Sequence, residues 1–149
     1  MYTAHMGIDL AAIEGAIASF AADASLVAAY LHGSAAVGRM DSESDIDIAL
    51  LPRPELSAEE RWNLRLRCLG FLMQRFPAIE EKFDVIVLQD VPVLLRFNVI
   101  RNCIVLHECD RSERILYELH VEQAYDDERY YLDREAHATV HRILSRPAA

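Results

Sequence analysis

A chain of 149 residues is the length of one domain, and such a domain buries roughly 70% of its unfolded surface without disulfide or metal staples. About half of its residues are apolar, and 15 Lys and Arg against 24 Asp and Glu leave a net charge of −9. That balance argues against a nucleic-acid surface but not against a nucleotide, whose phosphates a metal ion can meet.

The first residues, "MYTAHMGIDL", have no basic stretch leading into an apolar one, so no signal peptide is expected. Asp9 can cap a helix over Leu10–Ala22. "LVAAYLH", Leu26–His32, reads as a buried strand. Polar residues and a helix-to-strand break inside Gly15–Gly38 exclude a membrane span. Gly33 turns the chain and Ser34 opens a short helix that stops at Gly38. "RMDSES" is a polar loop, and "DIDIALL", Asp45–Leu51, is a second strand ended by Pro52 and Pro54. Ser57 and Glu60 form a capping box for a helix reaching Phe76, where Pro77 stops it. "FDVIVL", Phe83–Leu88, is a third strand, followed by a helix with Pro92 near its first turn. Cys103–Glu108 is a fourth strand. From Ser112 to about Ser145 the pattern is a long polar helix, or two in sequence, unbroken by proline until Pro147. Helices alternating with short strands predict an α/β or α+β sheet domain, with residues 1–110 as its core and 111–149 as a helical arm of the same domain.

Residues two apart on a strand share a face. Asp45 and Asp47 therefore project together, while Ile46, Ile48 and Leu50 pack on the other side. Paired carboxylates repel and raise each other's pKa, and a bound divalent cation removes the conflict. Mg²⁺ suits oxygen ligands of this kind, commonly with substrate phosphates completing its shell. Asp84, near the start of the third strand, completes a three-carboxylate cluster if the two strands are neighbours. Such a cluster can hold two ions for in-line displacement at phosphorus. Gly33 lets backbone approach a ligand closely. Ser34 opens a helix whose free N–H groups suit phosphate, and Arg39 stands within reach of the same phosphates.

A Gly-Ser pair, ten residues and then "DID" match the signature of the DNA polymerase β-like nucleotidyltransferase superfamily. Within it the chain resembles the minimal nucleotidyltransferase, or MNT, domains. The matching positions are Gly33, Ser34, Gly38, Arg39, Ser44, Asp45 and Asp47. "FDVIVL" resembles the family's third-aspartate strand, and "NVIRNCIVLHECD" the segment after it. The likeness runs from about Leu26 to Asp110 and more loosely into "YELHVEQAYDDERYYLD". The "GSAAVGR" turn departs from the family in placing its basic residue after Gly38, and Asn102 stands where glycine is common.

The resemblance implies a mixed-sheet core. Two Mg²⁺ ions would be held by Asp45, Asp47 and Asp84, and Asp84 would take the proton of the attacking hydroxyl. Gly33, Ser34, Arg39 and Ser44 would face the nucleotide. MNT domains often act as antitoxins that transfer AMP from ATP to a tyrosine of a HEPN-domain ribonuclease toxin, so a hetero-oligomer with such a toxin is expected. The rival readings are an antitoxin that only covers its toxin, and an enzyme that nucleotidylates a small-molecule hydroxyl.

The remaining motifs carry less. His137 and His141 are one helical turn apart, but the Glu of HExxH is missing, so a solvated or interface face is expected. Cys68, Cys103 and Cys109 form no CxxC pair and read as reduced thiols of a cytoplasmic protein. His107 with Cys103 and Cys109 lacks zinc-type spacing. No GxSxG elbow is present. Tyr117, Tyr125, Tyr130 and Tyr131 are candidates for core or partner contact.

Overall fold

The structure is a computed structural model that describes residues 9–22, 25–39 and 43–145. The expectations for the N-terminal segment before residue 9, for the middle of the "RMDSES" loop and for Pro147 lie outside them. Asp9 does cap α1 (Leu10–Ala21), its side chain accepting from the Ala11 amide at 3.0 Å. There follow β1 (Leu26–His32), the four-residue helix α2 (Gly33–Ala36), β2 (Ile46–Pro52) and α3 (Ala58–Arg75), then β3 (Phe83–Val87), α4 (Val93–Arg101), β4 (Ile104–Glu108) and α5 (Arg111–Leu144). The capping box at Ser57 and Glu60 is formed in both directions. Residues Pro77–Lys82, which Pro77 excludes from α3, make 3₁₀ turns leading into β3.

The four strands form one mixed sheet in the order β3-β2-β1-β4. β1 runs antiparallel to both β2 and β4, and β2 runs parallel to β3. Alternation along the strands divides the core in two. Leu31, Ile46, Ile48, Leu50, Val85 and Val87 face α1 and α3, meeting Ile17, Leu64, Cys68 and Leu72. Cys68 is buried there, and burial pushes its thiol up to about 12, so it packs as an inert small apolar group. On the other face Val27, Tyr30, Ala49 and Leu51 meet Leu88, Val99 of α4 and Tyr117 of α5.

Four strand boundaries differ from expectation: β3 stops at Val87 rather than Leu88, β4 starts at Ile104 rather than Cys103, and both ends of β2 move. β2 begins at Ile46, so Asp45 lies just ahead of the strand rather than in it. The cause is its neighbours: β1 ends at His32, opposite Asp47, where Gly33 turns away, and β3 begins at Phe83, opposite Ile46. Asp45 has no strand on either side to pair with. At the other end Pro52 stays in β2 opposite Leu26, and its carbonyl accepts from Gln89 Nε2 at 3.0 Å.

α5 is one unbroken helix of 34 residues, the first of the two forms expected. Its first turns are latched to the sheet. The Tyr30 hydroxyl, from the middle of β1, donates to Glu118 Oε1 at 3.0 Å. Arg114 bridges that carboxylate, at 2.6 Å, to Glu108 at the end of β4. Burial, with Glu118 beside it, raises the Tyr30 phenol far above its ordinary range, so it stays a donor. Tyr125 stacks on Phe97 of α4 with ring centroids 3.9 Å apart. From Asp126 to Ser145 every residue of the helix is exposed. No helix among the described residues is long and apolar enough to cross a membrane.

The latch generates a stability prediction. Tyr30→Phe keeps the ring and removes only the donor to a charged, half-buried acceptor, which costs about 1–2 kcal/mol. Denaturant unfolding should show this loss; an unchanged midpoint would mean that the latch contributes nothing.

Candidate active site

The carboxylates lie at one end of the face that also carries Tyr30, Ala49 and Val99, just beyond the cover of α4. The parallel register sets Asp47 opposite Asp84, and the antiparallel register sets His32 opposite Asp47. His32, Asp47 and Asp84 therefore form a row across three adjacent strands. Asp45 stands two residues ahead of Asp47, exposed. Ser44, directly before it, is half-buried.

Gly33 accounts for how closely the turn meets this row. Its φ is +68°, a left-handed conformation that only glycine adopts freely. A Cβ built there would also meet an Asp47 carboxylate oxygen far inside contact distance. Glycine thus lets the β1–α2 turn sit directly against Asp47. Ser34 follows in the first turn of α2, and its carbonyl accepts from the Arg39 amide at 2.9 Å. Gly38, at φ +69°, closes the turn and leaves Arg39 exposed. A cleft of about 470 Å³ opens beside this turn, lined by His32, Gly33, Val37 and Arg39 on one side and by Leu95, Asn98, Val99 and Asn102 of α4 on the other. That is within the size range of small-ligand sites.

The electrostatics follow from this packing. Burial raises the Asp47 pKa, with Asp84 and Asp45 adding to the rise and His32 opposing it. Burial holds the His32 pKa below the ordinary histidine value despite Asp47 and Asp84. His32 Nε2 is buried without a hydrogen-bond partner among the described residues. Among those residues no three His, Cys, Asp or Glu side chains are drawn together as a ready-made metal cage. Asp84, its side chain 56% exposed, instead has Arg65 Nη2 at 4.0 Å. The donor set nonetheless fits a hard divalent cation. It offers carboxylate oxygens on one face, and Asp47 carries the charge conflict that such an ion relieves.

Two residues here escaped the sequence reading. His32 read only as the end of a strand, and its place beside Asp47 depends on a pairing that sequence does not display. Arg65 read as one position of a helix. It reaches over the edge of the sheet, where its Nε donates to the Val85 carbonyl while the same guanidinium faces Asp84. The His107–Cys109 contact (Nε2 to Sγ, 3.0 Å) lies at the end of β4. The cysteines are free thiols.

The raised Asp47 pKa has a testable sign. An Asp that ionises less readily when folded costs stability once ionised, and the cost is absent below its unfolded value near 4. In metal-free buffer, Asp47→Asn should therefore raise Tm at pH 7, by roughly 1–4 °C. The gain should fade as pH falls toward 4, and calorimetry across that range checks it. A gain that persists or grows at acid pH would contradict the assignment.

Comparison with known proteins adds to this geometry. Residues 15–112 match the family described as polymerase beta, nucleotidyltransferase. No curated protein matches the chain. Among solved structures, the fold is similar to a chain of a toxin–antitoxin complex with AMP-PNP, at TM-score 0.62 and 24% identity, covering 89% of this chain and 98% of that one. It is also similar to a chain from a tri-AMPylated Shewanella oneidensis HEPN toxin in complex with MNT antitoxin, at TM-score 0.58 and 22% identity, covering 92% and 100%. A third likeness is to a chain of the MntA–HepT toxin–antitoxin, at TM-score 0.55 and 22% identity, covering 89% and 97%. At these identities the likeness is one of fold. The family match spans well over half of the chain and coincides with the sheet, the Gly33–Ser34 turn and the carboxylate row: the chain belongs to the polymerase beta nucleotidyltransferase family.

Proposed function

We propose that this protein is an antitoxin that transfers AMP from ATP, with Mg²⁺, to a tyrosine hydroxyl of a HEPN ribonuclease toxin. The observation that carries the reading is the in-register pair Asp47 and Asp84 beside the Gly33–Ser34 turn. The complexes to which the fold is similar support the choice of acceptor and nucleotide.

Asp45, Asp47 and Asp84 would hold Mg²⁺, which when bound neutralises phosphate charge and orients the triphosphate. The Gly33–Ser34 turn brings backbone and a hydroxyl to the phosphates. The neighbouring cleft offers room for the nucleoside, with Arg39 at its mouth. Asp84, at the edge strand and the more open of the paired aspartates, accepts the phenol proton. A phenol of pKa near 10 is mostly protonated at neutral pH and needs that base. The phenolate oxygen bonds to the α-phosphorus, the bond to the bridging oxygen breaks, and pyrophosphate leaves with the electron pair.

A second reading has its own support. The exposed half of α5 carries Tyr130, Tyr131, Leu132, Val140, Ile143 and Leu144 in solvent, a surface able to cover a partner without catalysis. Intact-mass spectrometry separates the two. After incubation with this protein, ATP and Mg²⁺, the toxin should gain one or more AMP masses on tyrosine. Asp84→Asn and the pair Asp45→Asn with Asp47→Asn should reduce the rate at least about 100-fold. A toxin silenced at unchanged mass would establish cover alone.

A further inference from the structure

We propose that Trp62 and Arg65, on α3, form the ledge on which the acceptor protein lays the segment presenting its tyrosine; the inference rests on the transfer reading above.

α3 turns Leu64, Cys68 and Leu72 into the core. On its solvent side it leaves Trp62 54% exposed and Leu66, one turn later, 47% exposed. Trp62 is the chain's single tryptophan, and it belongs to neither core cluster. Its neighbour Arg65 connects it to the site. The Arg65 guanidinium carbon lies 5.3 Å from the centre of the indole ring. The same guanidinium donates to the Val85 carbonyl on β3 and faces the Asp84 carboxylate at 4.0 Å. One anchored guanidinium therefore spans the gap between the indole and the proposed base.

The direction of attack selects the occupant. The Gly33–Ser34 turn and the cleft lie on the β1 side of Asp47, whereas Asp84 and Arg65 lie on the β3 side. In-line displacement needs the nucleophile opposite the leaving group. With pyrophosphate held on the β1 side, the acceptor hydroxyl arrives over β3, and the chain that carries it passes Trp62. The edge there is prepared for a side-chain contact rather than strand addition, because Arg65 already occupies the Val85 carbonyl. Tryptophan and arginine are the residue types that most often anchor protein interfaces. Trp62 and Leu66 would receive an apolar side chain flanking the tyrosine.

Because the chain has one tryptophan, 5-fluorotryptophan labelling gives a single ¹⁹F resonance from Trp62. Titrating the HEPN toxin into the labelled protein should shift that resonance saturably. In transfer kinetics, Trp62→Ala should raise KM for the toxin at least about tenfold. Its ATP affinity, measured calorimetrically, and its Tm should stay near wild type, and Trp62→Phe should restore most of the loss. A resonance that stays put at saturating toxin, or a Trp62→Ala protein with unchanged KM, overturns the ledge. Absence of AMP transfer by the wild type overturns the transfer reading instead, and the resonance then still decides whether the toxin covers Trp62.

Discussion

Everything proposed for this site depends on the register of three strands. Pairing His32 with Asp47 and Asp47 with Asp84 gathers two like charges and an imidazole into one row. It forces the turn after β1 to approach a carboxylate so closely that residue 33 must lack a Cβ. The raised Asp47 pKa shows the energetic consequence: a partly buried anion beside other anions is held in a state that folding alone does not favour. In the proposed reaction a divalent cation and a triphosphate would supply what that arrangement lacks.

The rest of the fold keeps one end of this face open and covers the other. α4 and the first turns of α5 close the face over Tyr30 and Ala49, and the Tyr30–Glu118–Arg114–Glu108 chain of contacts holds α5 there. The row of acids emerges past that cover, with the cleft against α4 on one side and the bare edge of β3 on the other. Donor nucleotide and acceptor can thus occupy opposite flanks of the same carboxylates. The long exposed half of α5 lies beyond this latched region and takes no part in the sheet.

Features set by local chemistry were legible in the sequence. The Asp9 cap, the Ser57–Glu60 box and the breaks at Gly33 and Pro77 rest on neighbouring residues, and the structure has them all. Strand parity placed Asp47 on the face opposite Ile46 and Ile48, and the Gly33–Ser34 spacing pointed to the family. What could not be read depended on residues distant in sequence. β2 starts at Ile46 because β1 ends opposite Asp47 and β3 begins opposite Ile46, so Asp45 fell outside the strand. Asp84 could be linked to Asp47 only on condition that β2 and β3 were adjacent. Tyr30 meets a carboxylate 88 residues away. His32 and Arg65 enter the site only through pairing across strands and reach over an edge.

The central claim is that the carboxylate row binds a divalent cation together with a nucleotide. Thermal unfolding with Mg²⁺ and a non-hydrolysable ATP analogue tests it without requiring turnover. A ligand at about 100 times its Kd stabilises the folded state by about 2.7 kcal/mol, so wild-type Tm should rise saturably when both are present. Asp47→Asn and Asp84→Asn should show little of that rise. An equal rise in wild type and both variants would contradict the account.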